Sequence, residues 1–342
     1  MSPPAVPPAS AADPLNPLDR QAVERFRADL TALAERAGAT PLDRIALAVS
    51  GGADSMAMLV LARAAFPGQV IAATVDHGLR PEAADEVALV ATACAALDVP
   101  HAKLRPLTPI AGSSVQKQAR EARYTALTAW MSRERVPLLL TAHHADDQAE
   151  TLLMRLNRAS GTPGLSGIRA VRRSGECLIL RPLLRWRRHE LRAVIGGTGL
   201  GWVEDPSNTD QRHDRTRYRA FLAGQSLLSA GSIAAAAAHL QEAEDALDAL
   251  TDGFWDERWD DSTARLQVHA LPREIVRRLL RRAIAAVRSA EQVTQPRFSA
   301  SSNVEALLYA LNLGHSGTQG GVMATPDGEI WHFRPAPPRR SL

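Results

Sequence analysis

The sequence predicts an α/β protein: a doubly wound, mostly parallel, Rossmann-like sheet followed by a smaller α+β domain. Three observations carry this. Short continuous apolar runs at 45–49, 70–75 and 137–142 alternate with stretches patterned as helices, as strands do when helices cover both faces of their sheet. The first run ends in Ser50-Gly51-Gly52 and passes directly into a helical stretch, a strand–loop–helix unit suited to anions. Past about residue 210 the pattern changes to an Ala-rich helix, an Arg-rich helix and short strands between turns.

In chain order, residues 1–16 are rich in Pro and Ala and read as a disordered tail. A helix is expected over 17–37, then a strand at 45–49, a helix at 55–65, a strand at 70–75 and a helix at 82–97. A weaker strand near 102–104 precedes a helix at 114–134, and the strand at 137–142 leads into another helix. These elements form one domain over 17–210. Residues 211–260 read as a helical linker and packing region containing the Ala-rich helix 232–250. Residues 261–335 form the small domain, with a helix at 271–287 and strands at 317–323 and 329–333, before a tail at 336–342. No internal repeat is visible.

A chain of 342 residues, 45% hydrophobic and 23% charged, is long enough for two domains and ordinary for a soluble protein. Its cations are arginines apart from Lys103 and Lys117, and the formal net charge is +3. Arginine's planar fork suits phosphate, although a GC-rich codon bias toward Arg and Ala accounts for the composition equally well. Only Cys94 and Cys177 carry sulfhydryls, which excludes a disulfide scaffold, a cysteine-built zinc site and an iron–sulfur cluster held by this chain alone. No apolar run is long enough to span a bilayer, and the first residues lack a signal peptide's cationic and apolar regions. A cytoplasmic protein without membrane contact is expected.

The loop at 50–55 carries the clearest chemistry. At a strand-to-helix turn, free backbone N–H groups and the helix dipole favour an anion. Gly51 and Gly52 let the backbone approach a phosphate, and Ser50 and Ser55 add hydroxyl donors. The lysine of a Walker loop and the dinucleotide pattern G-x-G-x-x-G are both absent. Phosphate would therefore be held by backbone dipoles and hydroxyls, with Asp54 available for a Mg²⁺ that bridges phosphates.

A second constellation is Thr141-Ala-His-His-Ala-Asp-Asp-Gln-Ala-Glu-Thr151. Helical spacing predicts that His143, Asp147, Glu150, Thr151 and Met154 share one face, with Ala149, Leu152, Leu153 and Leu156 opposite. A histidine with two or three carboxylates suits either a metal or a ligand ammonium.

The string Val49-Ser-Gly-Gly-Ala-Asp-Ser55 resembles the S-G-G-x-D-S pyrophosphate loop of the ATP pyrophosphatase superfamily. Further stretches narrow the resemblance to the tRNA(Ile)-lysidine synthetase family: Val75-Asp-His-Gly-Leu-Arg-Pro-Glu82, Gln118-Ala-Arg-Glu-Ala-Arg-Tyr124, the His143 segment, Arg158-Ala-Ser-Gly-Thr-Pro-Gly-Leu-Ser-Gly167, Arg181-Pro-Leu-Leu184 and Trp202-Val-Glu-Asp-Pro-Ser-Asn208. The resemblance runs in order over about half the chain and is loose in the C-terminal part. In the family a Tyr and R-N-x-x-R follow. Here Arg215 and Arg219 match, while Thr216 and His213 stand where Asn and Tyr are usual.

The resemblance implies a pyrophosphate-loop fold and a ligase that modifies the wobble cytidine of an isoleucine tRNA with a CAU anticodon. ATP would adenylate the C2 carbonyl oxygen, and free L-lysine would displace AMP. The roles it implies are ATP binding by Ser50, Gly51, Gly52, Ala53, Asp54 and Ser55, with Mg²⁺ carried by Asp54. Arg123 would stabilise the α-phosphate as it is attacked, and His143 would orient the adenylated group or move a proton. Asp147, Glu150 and Arg215 would bind lysine. Arg277 and Arg281, on one stripe of the helix at 271–287, are expected to contact tRNA phosphates in the small domain. A homodimer is among the expected assemblies. A tRNA-thiolating enzyme would need more cysteines than this chain has, whereas a small-molecule ligase would activate its carbonyl without tRNA.

Overall fold

The computed structural model describes residues 14–15, 18–40, 42–76, 78, 83–106, 115–204 and 214–337. The tails, much of the H-G-L-R stretch, the residues after Glu204 and His213 lie outside the described residues. The chain divides into two compact units, residues 1–241 and 242–342.

The first unit opens with α1 (Arg20–Arg36), whose start is fixed by Asp19 accepting a hydrogen bond from the Gln21 amide at 2.9 Å. Then β1 (Ile45–Ala48), α2 (Ala53–Ala65), β2 (Val70–Val75), α3 (Ala83–Ala96), β3 (His101–Leu104), α4 (Val115–Glu134), β4 (Leu138–Leu140) and α5 (Ala145–Leu156) alternate as the apolar runs predict. The short α6 (Thr162–Leu165) and a hairpin of β5 (Val171–Ser174) and β6 (Cys177–Leu180) are not among the expected elements, nor are the two helices that follow them. β6 pairs with β4 in parallel, and β5 closes the edge antiparallel to it. The unit continues through α7 (Arg188–Gly196) and α8 (Asp214–Ala223). The sheet order is β3-β2-β1-β4-β6-β5, so the direction of progression reverses between β1 and β4, where α/β sheets open a crevice at their carboxyl ends.

The period-2 alternation of each strand divides the core. Ile45, Leu47, Ala72, Leu140 and Leu180 face one layer with α1, α2 and α7. Ala46, Ile71, Ala73, Leu139 and Ile179 face the other, against Tyr124, Leu127, Trp130 and Met131 of α4. Both faces are thus buried, which is why the strands read as continuous apolar runs.

The unit boundary falls within the long helix α9 (Ala230–Arg258). The second unit adds β7 (Trp259–Asp260), β8 (Arg265–Gln267), α10 (Arg273–Ala290), α11 (Glu305–Asn312), β9 (Gly317–Gln319), β10 (Val322–Asp327) and β11 (Ile330–Pro335). Its antiparallel sheet is ordered β7-β8-β11-β10-β9. The strand expected at 317–323 is in fact two strands. Gly320 and Gly321, at φ +59° and +78°, turn the chain between β9 and β10, as a tight hairpin with two left-handed residues requires. Ile275, Leu279, Leu280 and Ile284 of α10 pack with Trp331 and Phe333 of β11.

Candidate active site

The loop between β1 and α2 is built by its own side chains and by a distant strand-like residue. Gly51 has φ +85°, a conformation that favours glycine. Its carbonyl accepts from the Val203 amide at 2.9 Å, which ties the Trp202-Val-Glu stretch to the loop. Ser55, buried, donates to the Gly52 carbonyl at 2.9 Å and accepts from the Ser50 amide at 3.1 Å. Helix α2 begins at Gly52 without a side-chain cap, so its first-turn amides remain suited to an anion. A cavity of about 600 Å³ opens beside this loop, lined among others by Ser50, Asp54, Arg123, His143, Asp147 and Arg215.

Asp54 faces two ways. Its Oδ2 lies 3.3 Å from Nε2 of the buried His144, while its Oδ1 is buried and has no hydrogen-bond partner. His144 also lies 3.6 Å from Asp147 Oδ2 and, through Nδ1, 3.6 Å from Asp146 Oδ2. Burial alone would lower the His144 pKa. The charge of Asp147 and the hydrogen bond and charge of Asp54 outweigh burial and raise it. The same burial would raise Asp147, but the charges of His144 and Arg215 pull it down to about 2.

His143 is not on the helix: α5 begins at Ala145, with His144 as its N-cap residue. His143 Nδ1 is 3.1 Å from Thr141 Oγ1. Burial pushes its pKa down to about 3 against the opposing pull of Asp147, so its imidazole is neutral at neutral pH.

The faces of α5 also depart from the expected stripe. Glu150, expected on the open polar face, is 1% exposed, whereas Leu156, expected to pack, is 57% exposed. The reason is α8, which lies against α5. Arg215 Nε and Arg219 Nε each donate to Glu150 at 2.8 Å, and Arg215 Nη2 donates to Asp147 at 2.9 Å. Arg188 of α7 approaches Glu150 to 3.6 Å. Asp146 accepts from Arg187 and from the Arg188 amide, the latter at 2.8 Å. The acidic start of α5 is therefore the point to which α7 and α8 are tied. Asp147, Glu150 and Arg215 do come together, but Glu150 sits behind the arginines rather than on the cavity wall.

Arg277 and Arg281 lie in the second unit and are engaged there. Arg277 bonds to Glu274 and Glu305, and Arg281 donates to the Ser302 carbonyl at 3.0 Å. Neighbouring Arg278 pairs with Glu244, Asp248 and Glu274. These acids come from α9, α10 and α11, beyond the reach of a helical-stripe argument.

Sequence reasoning missed His144 and its role between three aspartates. The doublet of histidines was visible, but helical spacing drew attention to the first. Arg219 was visible as a family match, and its partner was not.

A family model described as a PP-loop domain matches residues 22–226. The chain is thus an ATP-using protein of the PP-loop class, in keeping with the loop at 50–55. Among curated proteins, the tRNA(Ile)-lysidine synthase of Novosphingobium aromaticivorans is 41% identical over 94% of this chain and 95% of its own length. That of Zymomonas mobilis is 38% identical over 87% and 90%. The chain belongs to the tRNA(Ile)-lysidine synthase family, enzymes of tRNA modification. Among solved structures, the U34-tRNA thiolase NcsA from Methanococcus maripaludis, determined with its [4Fe-4S] cluster, superimposes with a TM-score of 0.54 at 14% identity, covering 66% of this chain and 81% of that one. That likeness concerns the fold. Among the described residues no helix is long and apolar enough to cross a membrane.

Proposed function

We propose that this enzyme attaches free L-lysine to the wobble cytidine in the CAU anticodon of tRNA(Ile). The C2 carbonyl oxygen attacks the α-phosphorus of ATP and pyrophosphate leaves. The ε-amine of lysine then attacks C2, the C2–O bond breaks, and AMP departs with that oxygen. The names of the relatives support tRNA(Ile) as the substrate. The observation that carries the reading is that one cavity has an anion-binding loop on one wall and the Asp147–Arg215 pair on another.

In this reading the amides and hydroxyls of residues 50–55 hold the pyrophosphate moiety. Asp54 suits Mg²⁺, because its buried Oδ1 is an acceptor left without a protein donor. When bound, the ion would supply positive charge that offsets the negative charge of the phosphates. Arg123 stabilises charge on the α-phosphate. His143, held neutral by burial, orients the base or accepts a proton and does not act as an imidazolium. Asp147 receives an ammonium of lysine and Arg215 its carboxylate. Glu150 acts through Arg215 and Arg219, as a positioning residue. The attacking amine must be neutral, so it loses a proton before or as it adds. Arg277 is held by ion pairs and Arg281 by the Ser302 carbonyl in their own unit, and they are given no part in this reading.

Incubation of the enzyme with a tRNA(Ile) CAU transcript, ATP and lysine tests the reading. Mass spectrometry of the digested RNA should find one cytidine heavier by a condensed lysine, with AMP formed in equal amount. ATP–pyrophosphate exchange that proceeds without tRNA would instead assign a small-molecule ligase.

A further inference from the structure

One charged cluster near the cavity has no carboxylate counter-ion among the described residues. Tyr124 of α4 is 8% exposed, within the apolar layer beneath the sheet. The guanidinium carbons of Arg120, Arg123 and Arg172 lie 5.4, 5.5 and 5.3 Å from its ring centroid. Arg181, at the end of β6 and 3% exposed, brings a fourth charge to bear on the phenol. Among the described residues none of these four arginines forms an ion pair with a carboxylate. Arg181 Nη1 donates to the Arg169 carbonyl at 2.6 Å, but its Nε is buried without a partner. The Tyr124 hydroxyl is also buried, and no acceptor reaches it: its polar neighbours are the Arg123 and Arg181 guanidiniums. Burial would raise the phenol's pKa, yet Arg181, Arg120 and Arg123 together lower it. Like charges gathered around orphaned donors are costly unless an anion joins them.

Strand order says which anion. The pyrophosphate loop follows β1, and β4, β6 and β5 succeed it across the sheet. At about 4.8 Å per strand, the end of β6 and the start of β5 lie about 10 and about 14 Å from β1 along the carboxyl edge. Arg181 and Arg172 stand at those points. Arg120, Arg123 and Tyr124 link them to the cavity wall. Arg120 and Arg172 are exposed while Arg181 and Tyr124 are buried. The cluster therefore has a buried floor and an open rim, which suits a phosphate that is part of a continuous polymer better than an enclosed free ion.

We propose that Arg120, Arg172, Arg181 and the Tyr124 hydroxyl cradle a phosphodiester of the RNA substrate, next to the nucleotide whose base enters the cavity. This rests on the tRNA reading given above. The paired oxygens of a phosphodiester match the guanidinium fork, and such a contact would set the register of the strand without reading its sequence.

Arg172→Gln tests it, because Arg172 is exposed and is not assigned to ATP or lysine. Filter binding of tRNA(Ile) transcript over a salt series, independent of turnover, should give a Kd about tenfold weaker. The slope of log K against log salt should be shallower by about one, with the KM for ATP unchanged. Tyr124→Phe keeps the packing and should weaken tRNA binding about threefold. A raised KM for ATP in Arg172→Gln would place the cluster on the nucleotide and overturn the cradle. Unaltered tRNA binding and slope in both variants, with wild-type protein that modifies the tRNA, would overturn the cradle alone. Wild-type protein that binds no tRNA would overturn both readings.

Discussion

Asp54 carries two obligations in one carboxylate: Oδ2 faces the buried His144, and Oδ1 is an acceptor without a donor. Asp54→Asn therefore does more than remove a metal-binding oxygen. It also takes one of the charges that hold His144 above its ordinary pKa. Product formation should fall below detection, and stability should drop by about 1–3 kcal/mol as the histidine loses a charged partner, visible as a lower melting temperature. Wild-type turnover in the purified variant would remove Asp54 from the mechanism. An inactive variant of unchanged stability would mean that Asp147 alone secures His144. The loop was legible in the sequence because its chemistry is local: glycines, serines and an acid in six residues. The histidine was not, since its environment is made by Asp54 of α2 and by Asp146 and Asp147 of α5.

At the scale of elements, legibility follows the range of the interactions. Strands β1, β2 and β4 declare themselves by apolar runs, because two helical layers bury both faces. The β5–β6 hairpin does not, since exposed arginines at Arg172 and Arg173 interrupt any alternation on its edge strand. A helix after β4 is legible, but it starts at Ala145 and leaves His143 outside it, and helical spacing alone treats one of its sides as open to solvent. In the structure α8 covers that side, and Glu150 becomes the buried anchor for Arg215 and Arg219. Replacing it leaves up to three guanidiniums near an uncharged group, and breaking a buried ion pair costs about 3–5 kcal/mol. Glu150→Gln should thus speed hydrogen exchange throughout α8 and raise the KM for lysine through the displaced Arg215, with little change in the KM for ATP. Exchange in α8 at the wild-type rate would show that the helix docks without this anchor. Asp147→Asn lies on the cavity wall and should raise the lysine KM by roughly tenfold or more. Equal effects on both substrates would favour a metal role for Asp147.

For the whole molecule the informative quantity is which arginines have partners, not their number. A net charge of +3 spread over 40 cations and 37 anions says little about where a polyanion binds. The helix α10 is a conspicuous basic stretch in the sequence, and its arginine stripe points to a tRNA face. Four of its cations pair with acids distant in sequence, Arg273 and Arg277 with Glu305, Arg278 with Glu244 and Asp248, and Arg282 with Asp252, while Arg281 and Arg288 donate to the carbonyls of Ser302 and Gly320. No periodicity argument could have found those pairs. Arg277, 24% exposed, and Arg281, bonded to the Ser302 carbonyl, fasten α10 to α11 and to the segment before it. The double variant Arg277→Gln/Arg281→Gln should consequently lower the melting temperature, by an amount equivalent to about 1–3 kcal/mol. It should leave the salt slope of tRNA binding where it is in the wild type. Differential scanning calorimetry and filter binding on the same preparation separate the two effects. A slope shallower by about two units with unchanged melting would mean that these side chains leave their carboxylates for phosphate, and α10 would then be an RNA-binding face.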